Sequence, residues 1–241
     1  MFFRPLTPVV KNLIIINALM FLATQALQGT LGGWMEVYLS GHWFTSPLFR
    51  PWQIITHMFM HANFQHILFN MFGVYVFGVM LEQMWGAKRF LTYYMLSGLG
   101  AVALHFLFVY FRLSAAAEVL TPEQIAEVLS RGHDLLLTHR NYVDVNMAHY
   151  NSLLNGGMLG ASGALFGLIL AFGLLFPNLQ LMLLFPPIPI RARWLAFGYA
   201  AFEIFSAFGS PNDGVAHFAH LGGMIAGYIV LKYWQKKGML H

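Results

Sequence analysis

The sequence predicts an all-α polytopic membrane protein with six transmembrane helices and both termini in the cytoplasm. Three observations predict it. The 241-residue chain is 58% hydrophobic and 9% charged, with a mean hydropathy of +0.62. Soluble domains carry roughly 25% charged residues, and a soluble fold of this size cannot hide so much apolar surface. Six apolar runs approach the ~20 residues that cross a bilayer. Finally, with the N-terminus inside and the segments alternating, nine of the 13 lysines and arginines fall on the inner side, as the positive-inside rule requires.

The first run is Val9–Leu27. It has a basic start, and the stretch Ala23-Thr24-Gln25-Ala26 is small and polar, like a signal peptide. The run is long for that role and the cleavage pattern is weak, so a retained helix is expected. The others are Phe64–Met84, Phe90–Phe111, Leu159–Phe176, Trp194–Phe208 and Ala216–Trp234. Arg4, Lys11, Lys88, Arg89, Arg191, Arg193, Lys232, Lys236 and Lys237 then lie inside, and Arg50, Arg112, Arg131 and Arg140 outside. Residues 1–241 read as one membrane domain with an extended outer loop at 113–157. No internal repeat is visible.

Two outer segments are long. Residues 28–63 carry Trp34, Tyr38, Trp43, Phe44 and Trp52, a composition suited to the membrane interface. The 113–157 loop holds most of the acidic residues. Within it Thr121 caps, Pro122 takes the first helical position and Gln124 completes a capping box. Ile125, Val128, Leu129 and Leu136 recur near helical spacing. The expectation is an amphipathic helix from Thr121 to about Thr138, lying on the outer membrane surface.

The chain has no cysteine, which excludes disulfides, thiolate nucleophiles and cysteine-bound metals. Polar groups at membrane depth are costly, and each is a functional hypothesis by default. Three clusters qualify: HMFMHANFQHILFN with His57, His61, His66 and Asn70; GASG with Ser162; and AHFAHLGGMIAG with His217 and His220. In the six-span topology all three fall near the outer ends of helices, at one depth.

Gly160, Gly163 and Gly167 form a smooth helix face, as do Gly223 and Gly227. Helix packing alone explains such faces. Packing and chemistry are also compatible, because close approach of the two helices would bring Ser162 within hydrogen-bond reach of a histidine. Ser162 sits near the N-terminal end of its helix, where free N–H groups and the helix dipole favour an oxyanion. Phe166, one turn below, is placed either to stack on an imidazole or simply to pack. His66 and Asn70, at i and i+4, share a face and offer hydrogen bonds. His57 and His61 have zinc-compatible spacing, but no HExxH and no neighbouring carboxylate accompany them; no metal and no cofactor are expected. Glu203 is the one carboxylate clearly inside a span. It either hydrogen-bonds a neighbouring helix or loop or leaves a proton or ion transporter open as a rival reading, although no inverted repeat is visible.

Together these residues resemble the rhomboid intramembrane serine proteases of bacterial type. The resemblance rests on GASG around Ser162, AHLGGMIAG from Ala219, HxxxN from His66 to Asn70, the whole HMFMHANFQHILFN stretch, and Glu82 with Gly86 at the end of the second span. It covers most of residues 5–235. It implies a serine–histidine dyad without a third acidic member, Ser162 the nucleophile and His220 the base. His220, not His217, has glycines at the matching offsets. It further implies oxyanion stabilisation by His66 and Asn70. Phe166, Gly160 and Gly163 support the site. The implied substrates are transmembrane proteins in the lipid bilayer, cleaved near the outer face; nucleic acid is not an expected partner. The implied location is the bacterial inner membrane. Trp52-Gln53 departs from the family's Trp-Arg, Phe166 from its usual Tyr, and the 113–157 loop from its compact members. A noncatalytic, rhomboid-like binder of membrane proteins remains the alternative.

Overall fold

The computed structural model describes residues 4–27, 33–182, 187–209 and 216–239. In chain order the elements are α1 (Pro8–Leu27), α2 (Trp34–Leu39), β1 (Gly41–His42), α3 (Gln53–Thr56) with a single 3₁₀ turn at His57–Phe59, α4 (Phe64–Trp85) and α5 (Ala87–Ala117). There follow α6 (Pro122–Leu137), α7 (Val145–Asn155), β2 (Gly157–Met158), α8 (Ser162–Leu175), β3 (Gln180–Met182), β4 (Pro189–Arg191), α9 (Ala192–Gly209) and α10 (His217–Lys236). Each of the six apolar runs is a helix. Among the described residues, α1, α4 and α5 are long and apolar enough to cross a membrane, and α8 is apolar but shorter. Arg193 and Glu203 dilute α9, and His217, His220 and Lys232 dilute α10.

Helix α1 begins at a proline, whose missing N–H is no loss at a first helical position. Its next free N–H groups, on Val9 and Val10, both donate to the Glu82 carboxylate at 2.9 Å, and Thr7 Oγ1 donates to the same group at 2.5 Å. Glu82 lies in the last turn of α4 and is buried. The acid that seemed only to mark the end of the second span therefore caps the start of the first. Gly86, at φ 77°, turns the chain from α4 into α5.

The centre of the molecule is α8, packed between α4, α5, α9 and α10. Most of its residues are buried against protein. Glycines set the distances. A side chain on Gly223 would collide with the Gly163 carbonyl, and one on Gly163 with Ala101. Gly167 faces Ser97 and lies about a Cβ radius from the Gly223 carbonyl, 3.0 Å from where a Cβ would sit. A side chain on Gly222 would meet the Gly100 carbonyl at 2.5 Å. Tyr93 donates from its hydroxyl to the Gly167 carbonyl at 2.9 Å, tying α5 to α8. Of the two glycine faces expected from sequence, Gly163 and Gly167 meet Gly223 between α8 and α10; Gly227 faces Tyr93 and Ser97 of α5, and Gly160 lies ahead of α8, off the face, against His66.

The 31-residue α5 is about 46 Å long at 1.5 Å per residue, longer than the ~30 Å apolar core of a bilayer. Its last turns, beyond the expected end at Phe111, support the insertion. Helix α6 has the expected capping box, both halves formed: Gln124 N–H to Thr121 Oγ1 at 3.3 Å and Thr121 N–H to Gln124 Oε1 at 2.9 Å. Its apolar face differs from expectation. Val128 is fully buried among Val109 and Ala116 of α5 and Tyr150 and Leu154 of α7, whereas Leu129 is 43% exposed. The face that periodicity assigned to the membrane surface is covered by protein at Val128. The reason is α7, whose weak apolar patterning hid a second helix: Asp144 caps it, accepting from Met147 N–H at 2.9 Å. Asn151 of α7 donates to the Gly132 carbonyl of α6 at 3.0 Å.

Gly223→Ala is expected to destabilise the protein by about 1–3 kcal/mol, the scale of overpacking a tight contact. Gly198→Ala, on α9 with open space around it, is expected to leave stability unchanged or raise it by up to ~1 kcal/mol. Reversible unfolding in mixed micelles checks the pair; equal effects at both positions would remove the α8–α10 approach as the cause.

Candidate active site

The segment before α8 places the serine. Gly41 pairs with Met158 and His42 with Gly157, so the first loop holds the chain just ahead of the GASG stretch. His42 Nδ1 lies 3.1 Å from the Asn155 carbonyl, and Ser46 Oγ donates to Asn155 Oδ1 at 2.7 Å. Gly160 N–H donates to the His57 carbonyl at 2.9 Å. Gly160 itself has φ 129°, a region closed to most side chains, and a Cβ there would press on the His66 ring at 2.8 Å. After this turn Ser162 is the first residue of α8. Its position at a helix N-terminus is the one that favours a developing negative charge.

Ser162 Oγ lies 2.8 Å from His220 Nε2 across 58 residues of sequence. The His220 ring stacks on Phe166, with centroids 4.2 Å apart and planes 8° from parallel. Phe166 in turn meets Tyr199 edge-on at 5.7 Å. On the far side of the imidazole, His220 Nδ1 is 3.0 Å from Glu203 Oε2, and the same oxygen is 2.6 Å from His217 Nδ1. Glu203 and His217 are buried at 3% and 5% exposure. Thus His217 faces the acid, and His220 faces the serine.

His66, near the start of α4, lines the cavity that Ser162 and His220 also line. Asn63 caps this helix, accepting from His66 N–H at 2.8 Å. Asn70 sits one turn further on, buried, and its Nδ2 has no partner among the described residues. The cavity, about 890 Å³, runs from His66, Ser162 and His220 past Trp43 and His105 to His149 of α7. The insertion therefore forms part of the wall. Burial, and then the Arg112 charge, hold His149 below the ordinary histidine range. A neutral ring lets its Nε2 accept from Arg112 Nη2 at 3.2 Å.

The Gln53 departure is compensated locally. Gln53 is fully buried, donates from Nε2 to the carbonyls of Val37 and Leu48, both at 3.0 Å, and accepts at Oε1 from Arg50 N–H at 3.0 Å. A neutral amide thus gathers the loop's backbone. Trp52 Nε1 donates to the Tyr38 carbonyl at 2.9 Å.

His57 and His61 are buried in the same loop region, ahead of α4. His57 Nδ1 bonds the Gln53 carbonyl at 2.8 Å, and the His61 ring meets His66 edge-on at 5.0 Å. The histidines that do share a carboxylate are instead His217 and His220, whose ligand atoms lie with that of Glu203 within 4.8 Å of one another. The His217–Glu203 contact is a hydrogen bond, while His220 Nδ1 lies near the same oxygen without hydrogen-bond alignment. Sequence reasoning missed this role of Glu203. The available signal was its being the one carboxylate clearly inside a span; no spacing rule links it to His220, because it lies on another helix.

The chain that builds this site is similar to known proteins. The rhomboid domain matches residues 49–117 and 127–236. The chain is 30% identical over 185 residues to "Rhomboid protein 1, mitochondrial" of Saccharomyces cerevisiae, covering 76% of this chain and 42% of the relative. It is 23% identical over 202 residues to "Rhomboid protease AarA" of Providencia stuartii, covering 81% and 57%. With "Putative rhomboid protease YdcA" of Bacillus subtilis it shares 31% identity over 104 residues, 40% and 48% of the two chains. The protein belongs to the rhomboid family and is membrane-embedded. It spans from about a fifth to somewhat over half the length of the curated relatives it matches.

Gln53→Leu keeps the volume and strands the Leu48 carbonyl and the Arg50 N–H. It is expected to raise the rate of proteolytic nicking within residues 33–63 by about five- to thirtyfold, the effect of losing about one to two kcal/mol of hydrogen bonding. An unchanged nicking rate would remove Gln53 as the anchor.

Proposed function

We propose that the protein is an intramembrane serine endopeptidase that cleaves membrane-spanning proteins near the outer face of the membrane. The observation that carries this is the 2.8 Å contact between Ser162 Oγ and His220 Nε2 on the wall of a cavity that His66, His105 and His149 also line. In this reading Ser162 attacks a peptide carbonyl as His220 takes its proton. The oxyanion rests against the Ser162 amide, His66 and Asn70. His220 then protonates the leaving amine, and water reaching the cavity releases the acyl-enzyme. Phe166 holds the imidazole plane, while Gly160 and Gly163 admit His66 and Ala101 of α5 to their close positions. The substrate helix must unwind locally, and glycine or proline near the scissile bond lowers that cost.

The six helical runs form six spans with cytoplasmic termini in this reading, and the membrane is the bacterial inner membrane. The 113–157 insertion stands on the outer side. A cysteine at exposed Thr138 is expected to react with an impermeant thiol reagent on intact cells, and one at Lys237 only after the membrane is opened. The native chain has no cysteine to confuse the result. The reverse pattern would invert the orientation.

Labelling by a serine-directed fluorophosphonate in membranes tests the chemistry. Wild type is expected to label and to cut a single-span substrate. Ser162→Ala and His220→Ala are expected to do neither while remaining folded. Asn70→Ala is expected to slow cleavage by about 10- to 1000-fold, the scale of removing one oxyanion donor. A folded wild type that never labels would point to the noncatalytic binder.

A further inference from the structure

We infer that Glu203 is a positioning residue for His220, and that His217 aims it. The inference rests on the serine protease reading above and departs from the two-residue machinery that the family resemblance implies. The starting point is the tautomer. His220 Nε2 faces Ser162 Oγ at 2.8 Å and must be unprotonated to take the serine proton. A neutral imidazole then carries its hydrogen on Nδ1. That nitrogen sits 3.0 Å from Glu203 Oε2. The angle misses a hydrogen bond, so the carboxylate favours the Nδ1–H tautomer through its charge at that distance, the side on which an acid stands behind a catalytic histidine.

Charge leads to the same assignment. When the Ser162 proton moves to Nε2, His220 becomes a cation. The other titratable groups on the shared cavity are His66, His105 and His149, none of them an acid. Glu203 is the carboxylate within reach of the new charge, and at 3% exposure it is poorly screened by water. Glu203 neither gives nor takes a proton. The proton goes from Ser162 Oγ to His220 Nε2 and on to the leaving amine.

His217 makes the arrangement definite. Its Nδ1 is the closer donor to Oε2, at 2.6 Å, and no second donor–acceptor alignment is satisfied at His220 Nδ1. The carboxylate is therefore held chiefly by His217 and presented to His220. His217 and His220 lie one turn apart at the start of α10, so one helix sets both rings. Glu203 reaches them from α9, and Phe166 fixes the imidazole plane from α8. Three helices thus converge on one ring.

The test compares wild type, Glu203→Gln, Glu203→Asp and His217→Ala for fluorophosphonate labelling rate, kcat and KM, all with a metal chelator present. Glu203→Gln keeps the shape and removes the charge. It is expected to lower kcat and the labelling rate by about 10²- to 10⁴-fold with KM unchanged, the upper value being the loss seen when the acid of a serine protease triad becomes an amide. Glu203→Asp keeps the charge and is expected to recover at least tenfold of that loss. His217→Ala is expected to fall between Gln and wild type. Unchanged kcat in Glu203→Gln, or a rise in KM alone, overturns the inference. If Glu203→Gln does not fold, His217→Ala decides, and wild-type kcat there overturns it. Loss of wild-type labelling on chelation, restored by zinc, also overturns it and assigns the cluster to a metal. A chelator-free wild type that does not label sinks the protease reading itself, whereas equal labelling of wild type and Glu203→Gln sinks only this inference.

Discussion

The structure depends on how closely α8 and α10 approach. The Gly163 carbonyl lies where any side chain on Gly223 would have to go, and Gly167 faces the same backbone from one turn below. In a membrane, apolar side chains gain little by leaving lipid for one another, so association rests on van der Waals packing and hydrogen bonds. Small residues let the backbones themselves make those contacts. The closeness also carries chemistry. Ser162 is the residue before Gly163, and His220 lies one turn before Gly223, so the same contact that joins the helices sets the 2.8 Å separation. Packing and the Ser162–His220 geometry are one constraint here.

A second constraint is the cost of polar groups at depth. Each buried one needs a partner or a purpose. Glu82 receives the first N–H groups of α1, and Gln53 receives and feeds the backbone of the first loop. These are structural solutions, complete within the protein. Asn70 Nδ2 and both ring nitrogens of His61 remain without protein partners among the described residues. The His61 ring meets His66 edge-on at 5.0 Å, and Asn70 follows His66 by one turn of α4. Buried polar atoms left unsatisfied cost stability, roughly 1–3 kcal/mol each.

Much of this was legible in the sequence because the signals were local. Apolar runs gave the helices to within a few residues, except where α5 continues past Phe111 on polar and small residues. The capping box at Thr121 and Gln124 formed as read. The glycine offsets distinguished His220 from His217. What stayed hidden was non-local. The partner of Val128 lies on α7, whose pattern is too polar to announce a helix, so the apolar face was assigned to lipid. Glu82 pairs with residues more than 70 positions away. Glu203 reaches His220 across the gap between two helices, and periodicity within one helix says nothing of such a contact.

The departures from the family pattern follow the same logic of local exchange. Losing an arginine after Trp52 removes five donors, yet Gln53 restores donors and an acceptor at one buried point, and the loop closes on it without a charge to bury. Replacing tyrosine by Phe166 removes a hydroxyl near His220 but keeps the ring that stacks on it at 4.2 Å. Orientation of the imidazole plane survives. At the Nδ1 edge stands the carboxylate of Glu203, itself held by His217. The aromatic ring on α8 and the polar residues on α9 and α10 are thus read together, as the surroundings of one imidazole that faces the serine.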